Sequence, residues 1–243
     1  MKAVILAAGY ATRLHPLSEN QPKPLLPVAG KPIVEYILEK IQELPEISEV
    51  LVVTNHRFYD HFRVWLNHYS SAKKITLIDD GTLNNDDRLG AVGDLHFAMK
   101  EKEIDEDVMV IAGDNLFGFS LQEFLKFFKT KKKSILALYD LKDMEKVRKR
   151  YGVGVMEGSK LVHFEEKPVK PKSSLAATAC YIFSQDDLKL VEKSIEQGNA
   201  DNPGDLVRWL VQHSEVHGFI FDEHWFDVGS LESLQAAEEL YQR

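Results

Sequence analysis

Along the first 150 residues, short and almost continuous apolar runs alternate with stretches of helical periodicity. The runs fall at 3–6, 50–53, 75–78, 108–112 and 135–138. Amphipathic patterns lie between them at 33–44, 58–68, 89–100 and 121–129. In the first pattern Ile33, Tyr36, Ile37, Lys40 and Ile41 share a face, with Glu35, Glu39 and Gln42 outside it. Strands apolar throughout, separated by helices, belong to a mostly parallel sheet covered on both faces. After about residue 150 the rhythm changes. A hairpin is predicted at 153–157 and 161–165 through Gly158-Ser159, then a strand ending in Phe183. Helices follow near 186–196 and 203–213, a strand at 216–221, and a last helix from Leu231. No repeat, low-complexity tract or flexible linker interrupts the chain. The expectation is one α/β domain over 1–243, a Rossmann-like sheet flanked by helices, with an elaboration in the second half.

The first strand empties into Leu6-Ala-Ala-Gly-Tyr-Ala-Thr-Arg-Leu14, and Gln21-Pro-Lys-Pro-Leu-Leu-Pro27 follows. Small side chains let main-chain N–H groups approach an anion, and Arg13 and Lys23 supply two cations for a triphosphate. An ordinary strand-to-helix turn explains the loop alone; loop, Arg13 and Lys23 together point to phosphate handling. Neither G-x-x-x-x-G-K-[ST] nor G-x-G-x-x-G is present. Gly152-Val-Gly154 with Gly158-Ser-Lys160 has the wrong spacing and leads into a strand.

Composition narrows the classes. Hydrophobic content of 44% and charged content of 28% over 243 residues fit a globular chain with a substantial core. A net charge of −8 argues against nucleic-acid binding. The basic cluster Lys129, Lys131, Lys132 and Lys133 reads as a solvated turn. The one cysteine, Cys180, lies in an apolar strand, which excludes a disulfide framework and a thiolate metal site. The N-terminal apolar run is too short for a leader, and no run approaches a membrane span. A cytoplasmic protein is expected.

The glycine loop resembles that of the sugar-1-phosphate nucleotidyltransferases, particularly those like glucose-1-phosphate thymidylyltransferase, whose signature is close to L-A-x-G-x-G-T-R-L-x-P…P-K-x-L-L-P-V…K-P. The match covers Leu6, Ala7, Gly9, Thr12, Arg13, Leu14, Pro16, Pro22, Lys23, Leu25 to Val28, Lys31 and Pro32. Ala11 replaces the usual second glycine; if the position needs a positive φ, alanine costs roughly 1 kcal/mol there. The resemblance extends to Gly113-Asp-Asn115 and Trp225-Phe-Asp-Val-Gly-Ser230, similar to metal-binding segments. It continues through Tyr151-Gly-Val-Gly154, Phe164-Glu-Glu-Lys-Pro168 and Leu175-Ala-Ala-Thr-Ala179, similar to the sugar-binding half.

The resemblance implies a largely nucleotide-binding part over 1–150, a sugar-phosphate part over 151–230 and a C-terminal helix over 231–243. It implies nucleotide contacts from Leu6, Ala7, Ala8, Gly9, Ala11, Thr12, Asn85 and Gly90, and Mg²⁺ on Asp114 and Asp227. On the sugar side it implies Gly152, Glu166 and Thr178, with Lys167 on the sugar phosphate. Read from the residues alone, Asp114 and Asp227 are more often turn or helix caps than metal ligands, Asn85 is a loop-stabilising residue, and Glu165-Glu-Lys-Pro168 is a polar strand exit. Arg88 matches nothing in the family pattern. The implied reaction moves a nucleotidyl group from a nucleoside triphosphate, dTTP or UTP favoured, to a sugar 1-phosphate, with Arg13 and Lys23 as catalytic cations. Phosphocholine and muramate phosphate are alternative acceptors, and a catalytically silent regulatory subunit is the rival outside the enzymes. The chain is too short for an appended β-helix acyltransferase domain. No nucleic acid or membrane partner is expected, and a homo-oligomer is compatible with all of this.

Overall fold

The computed structural model describes residues 1–11, 14 and 16–242. At its centre is β1 (Lys2–Leu6), whose three middle residues are fully buried between β4 (Glu49–Thr54) and β6 (Val108–Ala112), both parallel to it. A strand with neighbours on both edges and helices on both faces has no polar side to present. That is why Val50 to Val53 and Val108 to Ile111 read as unbroken apolar runs. Beyond β4 lies β5 (Lys74–Asp79), also parallel. The helices α1 (Ile33–Gln42), α2 (His56–His68) and α3 (Ala91–Glu101) make the crossovers in this half. Between β1 and α1 sit a 3₁₀ turn, Lys23–Leu25, and a small hairpin of β2 (Pro27–Val28) and β3 (Lys31–Pro32).

On the other side of β6 the direction reverses. β11 (Leu175–Phe183) runs antiparallel to β6 and to β8 (Ile135–Asp140). β12 (His217–Phe221) is parallel to β8, and the hairpin β9 (Val153–Glu157) and β10 (Lys160–Glu165) closes the edge. The nine-stranded order is β5-β4-β1-β6-β11-β8-β12-β10-β9, so the expected mostly parallel α/β architecture carries a reversed strand, β11, at its middle and a second, β10, near one edge. A register shift between Ala177 and Tyr181, with Ala179 at φ +53°, interrupts the ladder that β11 makes with β8.

A ribbon outside the main sheet pairs β7 (Asn115–Phe117) with β13 (Trp225–Asp227). Flanking helices are α4 (Leu121–Lys131), α5 (Met144–Val147), α6 (Gln185–Leu188), α7 (Val191–Glu196), α8 (Pro203–His213) and α9 (Leu231–Tyr241). The pattern expected as one helix over 186–196 is therefore two short ones. Two apolar layers result. One packs α1 and α4 on the sheet around Ile37, Ile41, Phe119 and Phe124; the other packs α3, α7 and α8 around Val92, Leu95, Leu206 and Leu210. Among the described residues no helix is long and apolar enough to cross a membrane.

Candidate active site

The parallel strands end on a common side, and there a cleft of about 540 Å³ opens. It is lined by Leu6, Ala7, Ala8, Gly9, Ala11, Lys23, Asn85, Gly90, Asp114, Gly152, Glu166, Lys167, Thr178 and Asp227. These are all of the residues proposed from sequence except Thr12 and Arg13, which lie outside the described residues. Ligands of open α/β sheets occupy this position beyond the strand carboxyl ends.

The loop after β1 is pinned from below. The Ala7 N–H donates to the Val53 carbonyl at 2.8 Å, and the Asn55 side-chain amide donates to the Ala8 carbonyl at 2.8 Å. Gly9 faces open space. Ala11 sits at φ +47°, the left-handed conformation that its family position suggested. Its carbonyl accepts from the Leu14 N–H (2.9 Å) and the Ser18 hydroxyl (2.7 Å), contacts that hold the strained turn in place.

Lys23 is flanked by Pro22 and Pro24, and its side chain is 12% exposed. Its ammonium lies 2.6 Å from an Asp114 carboxylate oxygen and 3.8 Å from one of Asp227. Asp114 comes two residues after the end of β6. Asp227 comes from the ribbon strand β13, where it is in register with Asn115, one residue beyond Asp114. The Val228 N–H donates to the Asp114 carbonyl at 3.2 Å, tying the two segments together. Two carboxylates 113 residues apart in sequence thus converge on one cation. No cluster of three or more acidic, histidine or cysteine side chains occurs among the described residues, so any metal here would rest on this pair plus ligand oxygens. Hard divalent cations accept that donor set.

The opposite wall carries Glu166 and Lys167, 3.3 Å apart. Lys167 sits at φ +46°, and its N–H donates to the Tyr151 carbonyl at 3.1 Å. Glu166 is held between two glycines: a Cβ on Gly152 would come within 2.8 Å of its carboxylate and one on Gly204 within 1.8 Å. Burial raises the Glu166 pKa, with Lys167 opposing. Gly204 belongs to the first turn of α8, which starts at Pro203 behind Asn202. The Thr178 hydroxyl donates to the Ala137 carbonyl at 3.1 Å, so it meets the cleft with its donor already used. Arg150 also lines this wall and forms no ion pair among the described residues.

Asn85 and Gly90 bound the remaining end, where two carboxyl groups are buried. Asp80 accepts from the Thr82 N–H (2.7 Å) and hydroxyl (2.8 Å). The Thr82 hydroxyl, having spent its proton, accepts from Tyr10 at 3.0 Å. Asp94, on α3, hydrogen-bonds Asp80. Burial and the neighbouring Asp80 charge push the Asp94 carboxyl up to about 8, so it carries the shared proton near neutrality. Its Oδ1 is buried without a partner.

Asp80, Asp94, Arg150 and Gly204 were not singled out by sequence reasoning. For Asp94 a signal existed, since it is four residues before the core residue Ala98 and shares its face. Gly204 was foreshadowed only by Asn202-Pro-Gly, an ordinary helix start.

The nucleotidyl transferase family matches residues 2–243. The chain is 32% identical over 232 residues to bifunctional protein GlmU of Methanocaldococcus jannaschii, covering 94% of this chain and 51% of that protein. It is 30% identical over 232 residues to a candidate mannose-1-phosphate guanyltransferase of Sulfolobus acidocaldarius, covering 94% and 60%. The chain therefore spans about half the length of these curated relatives. A crystal structure of a candidate glucose-1-phosphate thymidylyltransferase from Bacillus anthracis superimposes with a TM-score of 0.85 at 23% identity, covering 100% of this chain and 95% of that one. The match along almost the whole chain places it in the nucleotidyl transferase family.

Proposed function

We propose that this chain transfers a nucleotidyl group from a nucleoside triphosphate, dTTP or UTP favoured, to a sugar 1-phosphate in the cytoplasm, releasing pyrophosphate. An oxygen of the sugar phosphate forms a bond to the α-phosphorus, and the bond from that phosphorus to the β-phosphate oxygen breaks. The attacking oxygen is already anionic near neutral pH, so no general base is needed. Catalysis then rests on positioning and charge neutralisation.

The observation that carries this reading is the convergence of Lys23, Asp114 and Asp227 in one cleft with the Glu166–Lys167 wall. Leu6, Ala7, Ala8, Gly9, Ala11 and Thr12 form the phosphate loop. Asn85 and Gly90 meet the base. Arg13 binds the departing pyrophosphate and Lys23 the α-phosphate. Asp114 and Asp227 would hold Mg²⁺, which supplies charge neutralisation on the phosphate oxygens. Lys167 and Arg150 draw the acceptor phosphate toward the α-phosphorus against the repulsion of two anions. Glu166 accepts from sugar hydroxyls, with Gly152, Gly204 and Thr178 shaping the space around the ring. In this reading residues 1–150 serve mainly the nucleotide and 151–230 mainly the sugar phosphate.

A matrix of nucleoside triphosphates against sugar 1-phosphates, assayed for pyrophosphate with Mg²⁺ present, tests the reading. One pair should stand out by at least about tenfold in kcat/KM. Absence of pyrophosphate from every pair would overturn it.

A further inference from the structure

The first turn of α3 has no side-chain cap, because its N-cap is Gly90. The amides of Ala91, Val92 and Gly93 are instead satisfied by a segment from the other half of the chain. Ala91 donates to the Asp201 carbonyl at 2.8 Å, and Val92 and Gly93 both donate to the Ala200 carbonyl at 3.0 Å. The approach is close enough that a Cβ on Gly90 would lie 2.5 Å from the Asp201 Cα.

Arg88 locks this joint. Its Nε and Nη2 donate to the two carboxylate oxygens of Asp201 at 3.3 and 3.2 Å, while Nη1 donates to the Asn85 carbonyl at 2.9 Å. One guanidinium therefore joins the residue proposed to meet the base to a segment 113 positions away. Three residues after Asp201 comes Gly204, packed against the Glu166 carboxylate on the sugar wall. Residues 200–204 thus touch both ends of the cleft within one short, proline-stiffened stretch.

We infer that Arg88 and Asp201 are positioning residues that couple the base end of the cleft to its sugar end through residues 200–204. The inference rests on the nucleotidyl-transfer reading above. Ordering the Asn85–Gly90 loop around a base fixes Asp201 and, through it, Gly204 against Glu166. Each substrate then finds the other's subsite already in place, and the coupling is reciprocal.

Binding of α,β-methylene-UTP, which cannot release its leaving group, is titrated with and without glucose 1-phosphate in the presence of Mg²⁺, and the reverse titration is also run. In the unmodified protein each ligand tightens the other by the same factor, at least about fivefold. In Arg88→Ala and Asp201→Asn that factor falls to about 1, while affinity for either ligand alone changes less than about threefold. The exchange Arg88→Asp with Asp201→Arg restores part of it, an outcome that a general loss of loop stability would not give. In the ligand-free protein, amide hydrogen exchange at Ala91–Gly93 rises several-fold in both single variants. Undiminished coupling in the variants, no coupling in the unmodified protein, or unchanged exchange at those amides overturns the inference. An unmodified protein that binds neither probe, nor any pair from the substrate matrix, overturns the functional reading itself.

Discussion

Two pairs of aspartates line the same cleft and solve like-charge repulsion in different ways. Asp114 and Asp227 are partly exposed and share the ammonium of Lys23. Asp80 and Asp94 are 8% and 6% exposed, form no ion pair among the described residues, and share a proton instead. The difference follows from what each segment can bring. The prolines around residue 23 aim a lysine at the first pair. The second pair lies by Tyr10 and Thr82, and among the described residues Asp80 accepts from the Thr82 amide and hydroxyl. A pair bridged by a cation is set to exchange that cation for another; a pair bridged by a proton responds to pH.

The largest effect is expected from taking away the bridging ammonium. Lys23→Ala should lower kcat/KM for nucleotidyl transfer by two orders of magnitude or more, with the melting temperature within a few degrees of the unmodified protein. Near-normal turnover would remove the distinction drawn for the first pair.

Next comes the proton. Asp94 keeps its proton in the fold up to about pH 8, whereas an unfolded aspartate releases it near pH 4. Between those values the folded state binds more protons than the unfolded one, so stability falls as pH rises. Asp94→Asn should flatten this slope in urea unfolding measured from pH 5 to 9. It should leave the variant more stable than the parent at pH 8 by on the order of 1 kcal/mol. A parallel pair of curves would mean that Asp94 ionises normally.

The smallest effect tests the loop between the two pairs. Ala11→Gly removes the left-handed strain and should add about 1 kcal/mol or less, since glycine also loosens the unfolded chain. Chemical denaturation would detect it; a destabilised variant would show that alanine's conformation is not strained.

Much of this was visible in the sequence, for a physical reason. A buried parallel strand must be apolar at every position, so β1, β4, β6 and β8 announced themselves, as did the helices whose apolar stripe faces them. The reversed β11 was foreseen as a strand but not in its direction, because direction is decided by partners distant in sequence. The ribbon strands β7 and β13 are three residues each, too short for any periodicity, yet one of them delivers Asp227. The converging residues were named through motif resemblance. Asp94 was missed although its place on the apolar face of α3 was legible, and Arg88 was noticed without a role, because their partners, Asp80 and Asp201, are fixed by packing and leave no local pattern.

The β7–β13 ribbon has a consequence for biogenesis. A chain emerging from the ribosome has every strand of the nine-stranded sheet before it has Trp225-Phe-Asp227 to lay against Asn115-Leu-Phe117. Until those late residues dock, Lys23 has only Asp114 to meet. The proposed chemistry, which needs both carboxylates, is thereby withheld from nascent chains that still lack residues 225–227.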